Sequence, residues 1–150
     1  MRTEICRRCN TVEECYEFML AYAAQGVSGG DGSQSGGRIR EVLQQAVDAL
    51  SGLADACTTA VRAEQLEPVE KYRAFFAVIE HDARDARAAI ELVVAQPAIS
   101  SRMVDNLNAS MHLRAVLTAL FLASDIFRQR MQSTVPAASA LGLIGPEVRG

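Results

Sequence analysis

The chain has 150 residues, 49% of them apolar and 22% charged, which predicts one folded domain over 1–150 rather than a disordered chain. Its net charge of −3 provides no general attraction to nucleic acid or anionic membranes. No apolar run reaches the ~18 residues of a membrane span, and residues 1–4 lack the apolar stretch of a signal peptide. We therefore expect a cytoplasmic protein that binds neither nucleic acid nor membrane.

The composition favours helices, because 24 alanines stand against 8 aromatic residues and no tryptophan. Residues 26–37 contain six glycines, which predicts a flexible loop. Residues 134–150 are small and interrupted by proline and glycine, which predicts a loosely structured tail. Further breaks at Glu67-Pro68 and Gln96-Pro97 leave four helical segments.

The first predicted helix is short. It begins near Asn10 or Thr11, where Thr11 and Glu14 match a capping box, and ends before Gly26. Its apolar stripe has the 3, 4, 3 spacing of an amphipathic helix: Val12, Cys15, Met19 and Tyr22.

The other three predicted helices are about twice as long. Helix two covers about 38–66, helix three begins at Pro68, and helix four runs from Ser100 or Ser101 to about Gln132. Helix four carries two apolar rows. The first contains Met103, Leu113, Leu117, Leu120, Phe127 and Met131, and the second contains Val104, Leu107, Met111, Ala115, Leu122 and Ile126. A helix with two apolar rows is expected to be covered on more than one side.

These segments predict an all-α fold, a four-helix up-down bundle with a short first helix. The short helix leaves part of helix four without a neighbour, so a second subunit or the tail with Leu141, Leu143 and Ile144 has to cover it. We expect a homodimer. The predicted dimer or partner surface consists of Leu113, Leu117, Leu120, Phe121 and Phe127.

The cysteines are the first candidates for chemistry. Cys6 and Cys9 form a Cys-x-x-Cys pair, a spacing that can chelate zinc, although a structural zinc site needs four ligands and no second close pair exists. A redox pair is a further alternative, but the strand–helix context of such motifs is missing. In the alternative without function, Cys15 and Cys57 are small core residues and the pair is idle.

A metal centre between helices is the second candidate. The sequence has no Glu-x-x-His, so the ferritin-like di-iron pattern is missing. A weaker divalent metal site remains open if helices three and four bring together His81, Asp85, Asp105 and His112. Lone histidines on helices are more often structural.

A third candidate is phosphoryl transfer at His81. The stretch His81–Asp85 resembles, over five residues only, the phosphoacceptor stretch of histidine kinase dimerisation domains. It departs at Asp85, where those domains usually carry a neutral polar residue, and no ATP-binding domain follows. The resemblance implies that an acid orients one imidazole nitrogen while the other attacks phosphorus.

The sequence contains no other recognisable catalytic constellation. The leading hypothesis is a non-enzymatic helical-bundle protein that acts by protein–protein interaction, as an adaptor, assembly factor or small regulator. The alternatives are a metal-binding bundle, which would use zinc or another divalent ion at the histidines or the cysteine pair, and histidine phosphotransfer.

Overall fold

The computed structural model describes residues 2–26 and 34–133, which confirm an all-α fold. The described residues form six helices: α1 (Arg2–Ala24), α2 (Gln34–Ser51), α3 (Leu53–Ala63), α4 (Val69–Val94), α5 (Ser101–Ala109) and α6 (His112–Ser133). Most of the predicted Gly-rich loop and the whole of the predicted tail lie outside these residues.

The first helix is not short, and this prediction was wrong. It starts at Arg2 rather than at Thr11 and has 23 residues. The buried stripe continues backwards through Cys9 to Ile5, and both side chains are buried in the core. Glu4 also accepts hydrogen bonds from Arg7 at 2.8 Å and Arg8 at 2.7 Å, which supports the first turns of the helix. The argument for a dimer from a missing helix therefore fails.

Predicted helix two is divided at Gly52 into α2 and α3. Arg8 of α1 reaches this break, where its Nη1 donates hydrogen bonds to the carbonyl oxygens of Asp48 at 3.2 Å and Ala49 at 2.9 Å. These carbonyls lie at the end of α2, where the helix leaves acceptors unpaired. A Cβ on Gly52 would lie 2.5 Å from the Cζ of Arg8. The glycine thus makes room for the arginine that satisfies the end of α2.

Predicted helix four is also divided, into α5 and α6, whose axes meet at 52°. Ser100 accepts a hydrogen bond from the amide of Met103 at 3.1 Å, so the predicted start of this segment is confirmed. At the break, Ser110 Oγ donates to the carbonyl of Leu107 at 2.5 Å and Met111 has φ of 66°. Serine and asparagine compete with the helix backbone for hydrogen bonds, which favours a break here.

Predicted helix three is a single helix, α4, with Pro68 as its N-cap residue. At its other end Arg40 of α2 donates hydrogen bonds to the carbonyls of Val94 and, at 2.9 Å, Gln96. A cation at the C-terminal end of a helix is favourable for both hydrogen bonding and the helix dipole. Arginines from α1 and α2 therefore complete the ends of two helices that are distant from them in sequence.

The helices pack around α1 and α4. Each of these two contacts all four remaining helices, whereas among the described helices α2 and α3 contact neither α5 nor α6. Buried apolar side chains from all six helices form one hydrophobic core. This packing gives α6 three neighbours: α4, α1 and, at the break before it, α5.

Candidate functional site

The four cysteines are free thiols, and three of them are buried: Cys9, Cys15 and Cys57. Burial raises the pKa of Cys9 and Cys15 from 9.0 to about 11, and that of Cys57 to about 12. Neighbouring glutamates act in the same direction. These thiols stay protonated near neutral pH, unlike the thiolates that bind metals or act as nucleophiles. Cys9 belongs to the buried stripe of α1.

The predicted metal ligands are not assembled. In the part of the chain that the structure describes, no three His, Cys, Asp or Glu side chains are placed to hold a metal ion. Asp105 on α5 and His112 on α6 are exposed, on either side of the break at Met111. Cys6 and Cys9 lie one turn apart on α1 without further ligands of this kind among the described residues.

His81 and Asp85 do lie together on α4, as their spacing predicts. The Nδ1 atom of His81 is 3.3 Å from Oδ2 of Asp85, and the histidine side chain is 70% exposed. One ring nitrogen thus lies near the carboxylate, and the imidazole faces solvent. This pair is the part of the predicted chemistry that the structure brings together.

Four of the five residues of the predicted partner surface are buried within the chain. Leu113, Leu117, Leu120 and Phe127 are each at most 5% exposed and form the inner face of α6. Phe121 alone of the five is exposed, by 40%. Because buried side chains already pack against this chain's own helices, they offer little area to another molecule.

On α6 the second apolar row is the more exposed one, although its earlier members Val104 and Leu107 on α5 are buried. Its α6 members are Ala115, Leu122 and Ile126. Ala119, which was not in the predicted row, completes them at spacings of 4, 3 and 4 residues, and we call these four residues the outer stripe. Leu122 is 51% exposed, Ala115 is exposed, and the other two are half-buried. This spacing places all four on one side of the helix, as in the seam of a coiled coil.

A groove of about 210 Å³ runs beside the outer stripe, between α4 and α6. Its walls are almost entirely apolar: Tyr72, Phe75, Phe76, Leu122, Ala123, Ile126 and Phe127, with Lys71 at the edge. Phe76 and Phe127 pack at its base with ring centroids 6.3 Å apart. Val78, three residues after Phe75 and so on the same side of α4, is 50% exposed. The groove and the stripe together form one apolar surface, the α4–α6 surface.

A second cleft, of about 350 Å³, lies between α3 and α4. Arg62 and Arg73 line it together with Glu80, which is 3.4 Å from Arg84. Side chains of both signs share this cleft and all are solvent-exposed, so no strong field of one sign develops there. The cleft has the character of an ordinary solvated surface.

Sequence reasoning found both apolar rows of helix four but placed the partner surface on the row that proved to be buried. The signal that could have separated them is the polar flank. Residues next to the outer stripe include Arg114, Thr118 and Asp125, all exposed. The inner row adjoins Val116 and Ala123, both buried, and so lies deeper in an apolar sector.

No single helix among residues 2–26 and 34–133 is long and apolar enough to cross a membrane. The bent pair of α5 and α6 passes the same test of length and composition jointly, although much of α6 is core. Comparisons of the chain with protein-family models, curated proteins and solved structures found no match.

Proposed function

We infer that this chain is a non-enzymatic helical protein that acts by protein–protein interaction and forms a homodimer through the α4–α6 surface. Its role is that of an adaptor, assembly factor or small regulator. In this proposal the described helices form a four-helix up-down bundle. The pair α2 and α3 takes the place of one long helix, and the pair α5 and α6 takes the place of another. The observation that carries the proposal is the outer stripe, a coiled-coil-like seam in which Leu122 and Ala115 are exposed and Ala119 and Ile126 are half-buried.

The apolar character of this surface supports association. Leu122 is half exposed beside a groove with aromatic walls, and burying its remaining area stabilises a complex by on the order of 1 kcal/mol. The groove residues of α4 and α6 add to the same surface. Contiguous apolar patches of this kind are typical of protein interfaces, whereas isolated exposed apolar residues are not.

The cellular setting is part of the proposal. Free cysteines without a disulfide among the described residues fit a reducing compartment, which supports a cytoplasmic location. The net charge of −3 supports a protein partner over nucleic acid or an anionic membrane.

Sedimentation equilibrium on matched leucine variants tests the proposal. Leu122→Arg is expected to leave the protein folded but monomeric, because a charge replaces an apolar side chain at the centre of the interface. Leu20→Arg on α1 is the control, since Leu20 is 47% exposed and Leu122 is 51% exposed. A wild-type protein that stays monomeric up to about 100 μM would overturn the proposal, since interfaces weaker than this are rarely specific assemblies.

A second candidate, histidine phosphotransfer, is favoured by the His81–Asp85 pair. With Nδ1 lying 3.3 Å from the carboxylate and the ring exposed, Nε2 is the nitrogen that would attack phosphorus. An N–P bond to Nε2 would form as the bond from phosphorus to the donor's leaving group breaks, which releases ammonia when the donor is phosphoramidate. Incubation with phosphoramidate should then produce an acid-labile phosphate on the wild type and on His112→Gln, but none on His81→Gln. Equal labelling of the two variants would reject this candidate.

A further inference from the structure

The outer stripe has a direction, because its small and large residues are segregated. The small residues Ala115 and Ala119 occupy its N-terminal half, and the large residues Leu122 and Ile126 occupy its C-terminal half. The side chains of the stripe therefore project little at its N-terminal end and further at its C-terminal end. A surface that fills space well against it must carry large side chains opposite the alanines and small ones opposite Leu122 and Ile126.

The stripe supplies this complement itself. Ala119 and Leu122 lie equally far along the sequence from a midpoint between Leu120 and Phe121. Ala115 and Ile126 share the same midpoint. A two-fold axis through this point would place each large side chain of one copy opposite a small side chain of the other. Parallel pairing would instead oppose alanine with alanine, which leaves voids, and leucine with leucine.

The charges on one flank of the stripe follow the same order. Arg114 lies near the N-terminal end and Asp125 near the C-terminal end, about 20° apart around the helix axis at 100° per residue. The midpoint between Arg114 and Asp125 lies one residue from the midpoint of the stripe, a displacement of about 1.5 Å along the helix axis. Asp125 is 72% exposed, and its Oδ1 atom lies 3.8 Å from Nη1 of Arg128. This distance is long for an ion pair, so the carboxylate remains accessible to another cation. Antiparallel pairing sets Arg114 of one copy beside Asp125 of the other, twice. Symmetric parallel pairing turns this flank of the two copies to opposite sides of the interface and makes neither contact.

We propose that a second copy of this chain covers the outer stripe with its own outer stripe, antiparallel and about a two-fold axis between Leu120 and Phe121. This pairing rests on the self-association proposed above and specifies its geometry. Two independent features, the order of sizes and the order of charges, select the same partner and the same direction. Isologous pairing of this kind closes at two copies and leaves no repeating contact for further growth.

A size-swap series measured by sedimentation equilibrium tests the pairing. Leu122→Ala opposes alanine with alanine, and Ala119→Leu opposes leucine with leucine, so each single variant is expected to weaken the dimer about tenfold or more. The double variant Ala119→Leu/Leu122→Ala exchanges the two sides and restores large against small. It is expected to recover dimerisation to within about threefold of the wild type, with the composition of the stripe unchanged.

A charge-swap series provides an independent measurement, because Ala119 is partly packed against the core and Ala119→Leu can perturb folding. Arg114→Asp and Asp125→Arg are each expected to weaken the dimer several-fold at low salt, and the double variant to recover it. Circular dichroism verifies that each variant is folded.

The outcomes are separable. Rescue in either series supports antiparallel pairing. A wild-type dimer without rescue in the folded double variants overturns the pairing and leaves self-association intact. A monomeric wild type overturns both.

Discussion

Tyr22, near the end of α1, and Ser101, at the start of α5, are joined by two hydrogen bonds between their segments. Ser101 Oγ donates a hydrogen bond to the carbonyl of Tyr22 at 2.7 Å, and the buried Tyr22 hydroxyl donates to the carbonyl of Ile99 at 2.5 Å. Both bonds are buried, and they join positions more than 70 residues apart in sequence. They fix the connection between α4 and α5 to the end of α1, and thereby the direction in which α5 and α6 leave.

Removal of the Tyr22 hydroxyl is therefore expected to be costly. Tyr22→Phe leaves the Ile99 carbonyl buried without this donor and should lower the free energy of unfolding by about 1–3 kcal/mol. Tyr72→Phe, at a partly buried ring on α4, should change it by less than about 0.5 kcal/mol. Urea unfolding measures both variants. A loss for Tyr22→Phe no larger than that for Tyr72→Phe would show that the hydroxyl does not secure this junction.

Gly52→Ala is expected to have opposite effects on stability in the presence and in the absence of the Arg8 side chain. Gly52→Ala should destabilise the wild type by about 1 kcal/mol, because the new methyl group would displace the Arg8 guanidinium from the carbonyls of Asp48 and Ala49. In an Arg8→Ala background the same change should stabilise the protein by about 0.4–1 kcal/mol. There the backbone at Gly52, with φ of −96°, is accessible to alanine, and the unfolded chain loses freedom. A double-mutant cycle in urea measures this; equal signs in both backgrounds would contradict it.

The buried thiols predict a loss of stability at alkaline pH. Burial raises the pKa of Cys9 and Cys15 to about 11 and of Cys57 to about 12, so the unfolded chain loses these protons first, near 9.0. Stability is complete below pH 9 and declines as the pH rises through the folded-state values. Each buried thiol should cost about 1 kcal/mol by pH 10.

Urea midpoints between pH 8 and 10 measure this decline, with Cys57→Ala and Cys6→Ala as a matched pair. Cys57→Ala should make the decline shallower, because it removes a buried thiol, and Cys6→Ala, at a half-buried position, controls for the loss of a cysteine side chain as such. Stability that is constant over this pH range would contradict the burial of the thiols.

Leu120 and Leu122 are expected to respond differently to the same substitution. Leu120 is 0% exposed, so Leu120→Arg buries an unpaired charge and should unfold the protein, at a cost of more than about 4 kcal/mol. Leu122→Arg should retain the helical circular dichroism of the wild type. Thermal melts distinguish the two; a folded Leu120→Arg variant would show that the assignment of inner and outer faces of α6 is wrong.

Much of the fold was predictable because burial imposes a helical period on the sequence. The stripe from Val12 to Tyr22 is buried as expected, and α4 begins at Val69, one residue after the predicted start at Pro68. The two breaks were not predictable from local pattern. Gly52 interrupts a helix because Arg8, far away in sequence, occupies the space beside it, and Met111 adopts a positive φ that is uncommon for methionine.

Four of the five residues of the predicted partner surface lie in the row of α6 that faces the core. Adjacent apolar rows on one helix satisfy the same periodicity, so the pattern alone does not show which row faces the core. That choice depends on which helices pack against α6, and these are mainly α1 and α4. The spacing of Cys6 and Cys9 likewise fits two interpretations, a chelating pair and part of a helical stripe. In the structure Cys9 belongs to the core stripe that extends α1 to Arg2.

The most direct test of the central claim is the mass of the wild-type protein in solution. Light scattering coupled to size-exclusion chromatography, at loadings from about 1 to about 100 μM, would follow association by mass action. The account predicts a rise from 16.2 kDa towards twice that value and no further. A mass that stays at 16.2 kDa throughout would contradict self-association through the α4–α6 surface.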